Sequence, residues 1–409
     1  MKLLTLLLAI APVMAFASSD REKFLADIER MKSKSLRLQS EQQNLTAAKD
    51  SLLAKKLAFT PSVSATLGKN QTYVQNQLAG NLDYWQVNGS WNLFRSGGDW
   101  HALQGAAAKS EAQEHQVKSE EISEEHAVGS LIFRLLSTKD SVRAQEDLLN
   151  AKERGLQIAE ARFAQGRISK EDVNRLEVDL SQQRSRLRLA RLDLEDVSAS
   201  LKMQFADLVE TQNWPFAEEE KMPNFLGLVS QSTQKLEATA LGLQHDWKSA
   251  RAGYFPTIDL SVSYQESPLK RSPVGHWAGT IELKVPLWNG YQTAAETSLA
   301  YSRYLSNENQ FQESKMQEPI RQNFVKSKWK AHFENTKEAR ENLVKSRKLY
   351  QDFERAFGLG RISTIDLLAE QNRLIDAELT LSQSQRNLHD AYLESCDAIG
   401  QSLTSCLMQ

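Results

Sequence analysis

Two hydrophobic patterns alternate along the chain. Short segments such as 85–93 and 258–264 alternate apolar and polar residues, which is typical of strands with one apolar face. Between them lie long amphipathic stretches, from about Gly98 to Phe163 and from about Thr293 to Phe357, with only Pro319 interrupting the second. After each stretch, leucines recur at spacings of three, four and seven, as in coiled coils. About 65 residues at ~1.5 Å each predict helices roughly 100 Å long.

The same order of segments occurs twice. Phe163–Ser169 and Phe357–Ser363 both end in Gly-Arg-Ile-Ser, and they lie 194 residues apart. The segments 92–97 and 286–291 match at the same offset, and so do 59–63 and 254–258 to within one residue. Three matches in one order indicate an internal repeat. The chain is therefore predicted to be a two-repeat protomer, each half with a helix, two strands and a long helical hairpin.

The N-terminus has the composition of an export signal. Lys2 is followed by an apolar run over 3–14, and Ala15-Phe16-Ala17 provides the small residues of a cleavage site. We expect cleavage after Ala17. No later stretch reaches the ~18 to 20 apolar residues of a spanning helix. The protein is expected to be exported, and any membrane span would consist of strands.

The alternating strands support two interpretations. A sandwich sheet with one solvated face explains the alternation alone. Export, the repeat and the aromatic residues at the strand ends favour a transmembrane barrel. Four strands cannot close a barrel, and open edges in lipid are costly, so the chain is expected to oligomerise: two copies supply eight strands and three supply 12. The aromatic residues expected to face lipid are Trp85, Trp91, Tyr264, Trp277 and Trp288.

These patterns predict a mainly α protein with a small transmembrane β part. The predicted segments are a signal peptide (1–17), an N-terminal helix (18–57), strand pair 1 (58–96), helical hairpin 1 (97–208), a linker (209–228), a helix (229–252), strand pair 2 (253–290), helical hairpin 2 (291–395) and a C-terminal tail (396–409).

Composition and motifs exclude several function classes. Fifty basic residues against 52 acidic ones give a net charge of −2, which argues against nucleic-acid binding. The seven histidines are scattered and no catalytic motif occurs, so neither an enzyme, a cofactor nor a metal site is expected. Glu124 and Glu125 are expected on a solvated helix face. A disulfide between Cys396 and Cys406 is left open.

The repeated turns and strand flanks resemble the TolC family of outer-membrane efflux channels. The most specific marks are the two Gly-Arg-Ile-Ser turns, each followed by an aspartate, Asp172 or Asp366, and the segments 254–256 and 286–290. The resemblance implies a homotrimer with a shared 12-stranded β-barrel in outer-membrane lipid, continuous with a 12-helix periplasmic α-barrel. It also implies passive export of drugs, metals or proteins from a Gram-negative cell, with a periplasmic adaptor (membrane fusion protein) and an inner-membrane transporter of an efflux or type I secretion system as partners.

The resemblance also assigns roles to the turns. It implies an acidic constriction formed by Asp172 and Asp366, one to two helical turns into the returning helices, with Arg167 and Arg361 pairing across helices in the closed state. Ala369 stands where many relatives have a second aspartate and Glu370 follows, so a single or a double acidic ring stays open. The residues expected to contact the adaptor are Gly166, Ile168, Leu359, Gly360 and Ile362.

The main alternative is a periplasmic adaptor or structural coiled-coil protein without a pore. It accounts for export and for the long helices. It leaves the four alternating strands with aromatic ends unexplained. An enzyme built around the linker at 213–225 has no support in that segment.

Overall fold

The computed structural model describes residues 20–74, 77–205, 209–216, 222, 229–269 and 272–407. The predicted signal peptide lies outside the described residues, as does most of the predicted linker. The described chain is mainly helical with one small sheet. Its helices are α1 (20–32), α2 (Leu36–Leu57), α3 (Gly98–Ala164), α4 (Lys170–Phe205), α5 (Gln231–Arg251), α6 (Gln292–Gly358), α7 (Thr364–Ala398) and α8 (Leu403–Leu407).

The two longest helices follow the long amphipathic stretches. Both α3 and α6 have 67 residues, and α6 continues through Pro319 without a break. The N-terminal region differs from the single helix expected over 18–57. The chain leaves the helical conformation at 33–35, where the Ser35 hydroxyl accepts a hydrogen bond from the Leu38 backbone N–H at 3.2 Å and begins α2.

The sheet contains four antiparallel strands in the order of the sequence. They are β1 (Ser62–Val74), β2 (Gln77–Phe94), β3 (Thr257–Leu269) and β4 (Ser272–Lys284), with 13, 18, 13 and 13 residues. The repeats meet where β2 pairs with β3, with Val87 opposite Tyr264 and Trp91 opposite Leu260. Because β1 pairs only with β2 and β4 only with β3 among the described residues, both outer edges of the sheet are open.

The register places the apolar residues on one face. Leu67 lies opposite Trp85, and Tyr264 lies opposite Trp277, so the alternating apolar positions of neighbouring strands coincide. Serines and asparagines occupy the other face, where the Ser62 and Ser90 hydroxyls are 2.7 Å apart. Large side chains of the apolar face are exposed: Leu67 is 87% and Trp277 74% accessible in the single chain.

The chain divides into two compact units. One contains residues 1–38, 119–230 and 318–409, and the other contains 39–118 and 231–317. The main core of the first unit joins α1, α3, α4 and α7 through residues such as Phe24, Phe133, Leu201 and Leu393. The C-terminal tail belongs to this core. Its Cys406 is buried and forms a disulfide with Cys396, which fixes α8 on the end of α7.

A buried carboxylate organises part of the predicted linker. Asp27 is 1% exposed and accepts hydrogen bonds from the backbone N–H groups of Glu210 and Thr211 and from the Thr211 hydroxyl, at 2.7–3.2 Å. It also pairs with Arg30. The segment 209–216 is thereby attached to α1, and a buried charge satisfied in this way is far less costly than an isolated one.

The expectation that Glu124 and Glu125 face solvent is wrong. Both are buried, and Glu125 accepts hydrogen bonds from the Lys32 ammonium at 3.0 Å and from the Leu403 backbone N–H at 2.7 Å. The Glu125 carboxylate therefore joins α3 to α1 and α8. No group of three or more metal-binding side chains occurs in the part of the chain that the structure describes. Within the same ranges, no helix is both long and apolar enough to cross a membrane.

Candidate functional site: the two helical turns

Two five-residue turns form the candidate site, tip 1 (165–169) between α3 and α4 and tip 2 (359–363) between α6 and α7. Both belong to the first compact unit. The second residue of each turn is a glycine in the left-handed region, Gly166 at φ 70° and Gly360 at φ 76°. The backbone N–H of the following arginine reaches back to the carbonyl of Arg162 or Ala356 at 2.9 Å, which closes a Schellman motif. Glycine is favoured there because a side chain strains this conformation.

The aspartates begin the returning helices. In tip 2, the Asp366 carboxylate accepts hydrogen bonds from the Ser363 N–H at 3.1 Å and the Ser363 hydroxyl at 2.7 Å, while the Ser363 hydroxyl accepts one from the Asp366 N–H at 3.2 Å. This is a capping box. Ser169 and Asp172 form the same contacts in tip 1, at 3.0–3.4 Å.

This arrangement corrects the expected position of the aspartates. Asp172 and Asp366 lie in the first turn of their helices, not one to two turns further, because each is bound to the serine three residues before it. The hydrogen bonds from the Ser363 hydroxyl and backbone lower the pKa of Asp366 below its usual value. Both carboxylates lie at the N-terminal ends of their helices, with Asp366 exposed and Asp172 half-buried.

The arginine that crosses between hairpins is Arg162, which the sequence did not single out. Its Nη1 donates to the carbonyl of Phe357 at 3.0 Å, and its guanidinium carbon lies 5.0 Å from the centroid of the Phe357 ring. A Cβ at Gly360 would lie 3.2 Å from the same guanidinium. Arg162 thus connects the end of α3 with the end of α6 and with tip 2.

The two arginines expected to pair across helices do not do so in the protomer. Arg167 and Arg361 are exposed, and neither forms an ion pair with another described residue. Their backbones close the Schellman motifs, and their side chains are available to solvent or to another chain.

The apolar residues of the tips differ in exposure. Ile168 and Ile362 are half-buried against a core beneath the turns that includes Val173, Phe357 and Leu367. Leu359 is 69% exposed, and no atom outside the turn lies within 4 Å of a Cβ built at Gly166. Of the five residues expected to contact an adaptor, the two isoleucines therefore stabilise the turns, while Leu359 and Gly166 lie on the surface.

A polar network links α3 and α6 below the tips. The Tyr350 hydroxyl donates to the Glu354 carboxylate at 2.9 Å, and Arg154 of α3 lies 3.5 Å from the same carboxylate. Burial and the neighbouring Glu354 raise the pKa of Tyr350 to about 12. On α7, Glu370 is buried and pairs with Arg373 at 2.5 Å. Its charge is thus already neutralised within the chain, which disfavours Glu370 as part of a second acidic ring.

The predicted lipid-facing aromatics lie in the second compact unit. Tyr264 stands between Trp85 and Trp277, with ring centroids 5.2 and 4.8 Å away, so three neighbouring strands carry one row of rings. The Trp91 indole donates to the Phe59 carbonyl at 2.9 Å. Trp288 is not a strand residue, because β4 ends at Lys284, and it is 80% exposed in the following segment.

Comparisons with known proteins agree on one fold. Residues 28–204 match the profile of the family described as OEP, outer membrane efflux protein. No curated protein sequence matches the chain.

Solved channel structures align with almost the whole chain. A structure of CusC, described as addressing folding and transmembrane channel formation, aligns with a TM-score of 0.83 at 13% identity, over 93% of this chain and 92% of that one. The Campylobacter jejuni CmeC outer membrane channel aligns with a TM-score of 0.82 at 13% identity, over 93% and 86%. The Vibrio cholerae outer membrane protein VceC aligns with a TM-score of 0.81 at 14% identity, over 93% and 97%.

Proposed function

We propose that the chain is a passive exit channel of the outer membrane, because its residues 28–204 match the outer membrane efflux protein family. The channel serves a tripartite efflux or type I secretion system of a Gram-negative bacterium. The single observation that carries the proposal is the one-sided sheet. Its apolar face is exposed, and among the described residues its two outer edges, β1 and β4, are open.

The open edges support assembly into a homotrimer. In lipid, the backbone groups along β1 and β4 have no water to bind, and each unpaired group costs several kcal/mol. Pairing β4 of one copy with β1 of the next satisfies them. Three copies give a 12-stranded barrel, which is wide enough for a pore, whereas two give eight strands and a lumen filled by side chains. In such a barrel the aromatic row would face lipid and the serine and asparagine face would line the lumen, which is consistent with the strand register.

The tips support a gate at the periplasmic end. Asp172 and Asp366 are held at fixed positions by their serines, and Asp366 keeps an exposed carboxylate of lowered pKa. Three copies of each would place six negative charges around the entrance. Arg167 and Arg361, which have no ion-pair partner in the described protomer, are the groups that the trimer would engage in its closed state.

The same tips are the proposed contact with a periplasmic adaptor, which in turn carries the inner-membrane transporter. The exposed Leu359 and the open surface at Gly166 allow another helical hairpin to approach closely. In this proposal the energy for export comes from the inner-membrane transporter.

The competing function is a periplasmic adaptor or structural coiled coil. The sheet disfavours it, because a soluble protein would leave Leu67, Trp277 and Ile281, each more than 70% accessible in the single chain, facing water.

Fractionation with semi-native electrophoresis tests the proposal. A heat-modifiable trimer in the outer membrane fraction, which forms cation-conducting pores in planar bilayers, is the expected result. A soluble monomer in the periplasm contradicts it. The variant Trp277→Asp provides a second test. Its helices should still fold, but the protein should fail to insert into the membrane, which would not be expected of a soluble coiled coil.

A further inference from the structure

Two histidines far apart in the sequence face each other in the second compact unit. His101 lies on the first turn of α3 and His245 on α5, and their Nδ1 atoms are 3.2 Å apart. The ring centroids are 5.4 Å apart and the ring planes differ by 35°. Neither residue belongs to the tips, to the aromatic row or to any motif of the sequence.

A close helix crossing holds the two rings in place. Gly105 of α3 and Gly242 of α5 meet backbone to backbone: a Cβ at Gly105 would lie 3.2 Å from the Gly242 carbonyl, and a Cβ at Gly242 would lie 3.3 Å from the Gly105 carbonyl. His101 precedes Gly105 by four residues and His245 follows Gly242 by three, so both rings project from the same crossing. The Ser249 hydroxyl of α5 also donates a hydrogen bond to the Gly98 carbonyl of α3, at 2.9 Å.

We propose that His101 and His245 form a two-histidine site for a divalent transition metal, with Zn²⁺ as the reference ion. Two imidazole nitrogens bound to tetrahedral zinc at ~2.0–2.1 Å lie about 3.3 Å apart. The observed separation of 3.2 Å fits this bite without movement of either helix. Imidazole is a ligand that suits zinc, copper and nickel.

The surroundings favour an exchangeable metal. Both rings are half-buried, so water reaches the remaining coordination positions. No third histidine, cysteine or carboxylate completes the group in the described ranges. The nearby Asp246 is already paired with Lys109. Burial, together with Lys248, lowers the pKa of His245.

The alternative is a hydrogen bond between the rings, one Nδ1 donating to the other. The two explanations differ in their response to metal. A hydrogen bond stabilises the protein equally with and without zinc, whereas a metal site makes the melting temperature depend on zinc concentration.

The experiment uses the full chain, purified in detergent with an affinity tag free of histidine and treated with a chelator. Calorimetric titration with ZnCl₂ at pH 7.5 is expected to give one Zn²⁺ per chain. His101→Gln and His245→Gln are each expected to weaken binding by at least about tenfold. His115→Gln is the matched control, since His115 also lies on α3 but contacts Gln231 at 2.9 Å and faces no second histidine; it should bind zinc like the wild type.

Two further measurements keep the proposal open to refutation. Zinc should raise the melting temperature of the wild type and of His115→Gln, but not of the double variant His101→Gln/His245→Gln. Co²⁺ should give the intense visible absorption of a tetrahedral complex only where both histidines are present. Absence of zinc binding to the wild type, or unchanged binding by the double variant, overturns the site.

Discussion

Arg162 at the end of α3 donates to the backbone carbonyl of Phe357 near the end of α6, at 3.0 Å, and covers the ring of the same residue. The contact runs in one direction only. The position equivalent to Arg162 in the second repeat is Ala356, whose methyl side chain cannot return the contact. Arg162 is thus an asymmetric link between the two hairpins near their tips, and tip 2 depends on it more than tip 1.

Replacing Arg162 by methionine is therefore expected to loosen tip 2. Methionine keeps much of the apolar stem but removes the bond to the carbonyl and the cation–π contact, a loss of about 1–2 kcal/mol. Hydrogen exchange of the backbone amides at 357–361 should quicken by roughly tenfold, since each ~1.4 kcal/mol of local stability is a factor of ten. Arg167→Met is the control, because Arg167 has no ion-pair partner in the described protomer. Equal exchange in both variants argues against the link.

Asp366→Asn separates the gate from the helix cap. The asparagine side-chain oxygen still accepts the bonds from Ser363, so α7 begins as before, while three negative charges leave the trimer. If the aspartates form the constriction, block of single channels by a trivalent cation from the periplasmic side should weaken by about tenfold. Asp172→Asn should weaken it as well, and the double variant further. Unchanged block and conductance in all three would leave the carboxylates only their capping role.

Leu359 is the most direct probe of adaptor contact. It is 69% exposed, and its substitution avoids the strain that a side chain at Gly360 would cause. Leu359→Asp places a charge where an apolar contact is proposed, so cells should lose resistance to whichever drug or metal salt inhibits a deletion strain. Leu359→Met keeps the apolar surface and should retain resistance. Both variants should still form heat-modifiable trimers. Full resistance with Leu359→Asp would remove this residue from the contact.

Much of the fold follows from patterns that are local in sequence. Period-two alternation predicted four strands, because a sheet with one apolar face repeats every second residue, and the register of Tyr264 with Trp277 matches it. The family resemblance drawn from the repeated turns is confirmed by the profile match over 28–204. The mainly helical class with a small sheet is confirmed as well.

The parts that the sequence did not predict depend on contacts between distant residues. Arg162 was missed because its partner is a backbone carbonyl 195 residues away, which leaves no motif. Glu125 looked solvated in a charged helix, yet α1 and α8 cover it. The cap at Asp366 was missed too, although a serine followed three residues later by an acid is a readable signal of a helix start.

The buried His389 should make the first compact unit less stable in acid. It is 3% exposed among the rings of Phe133, Trp214 and Phe216, and its Nδ1 donates to the Gln385 carbonyl at 2.7 Å. Burial lowers the pKa of His389 from 6.5 to about 4. The unfolded state then binds a proton that the folded state does not, so stability is lost as the pH falls from about 6.5 towards 4.

The size of this effect is up to about 3 kcal/mol over that pH window. Asp390 acts in the opposite sense, because burial raises its pKa, so the histidine's share must come from a difference between proteins. His389→Gln retains a donor for the Gln385 carbonyl and does not titrate. The decrease in melting temperature from pH 7.0 to pH 5.0 should be smaller in His389→Gln than in the wild type. In His115→Gln this decrease should equal that of the wild type. Parallel losses in all three proteins would mean that His389 is not the group responsible.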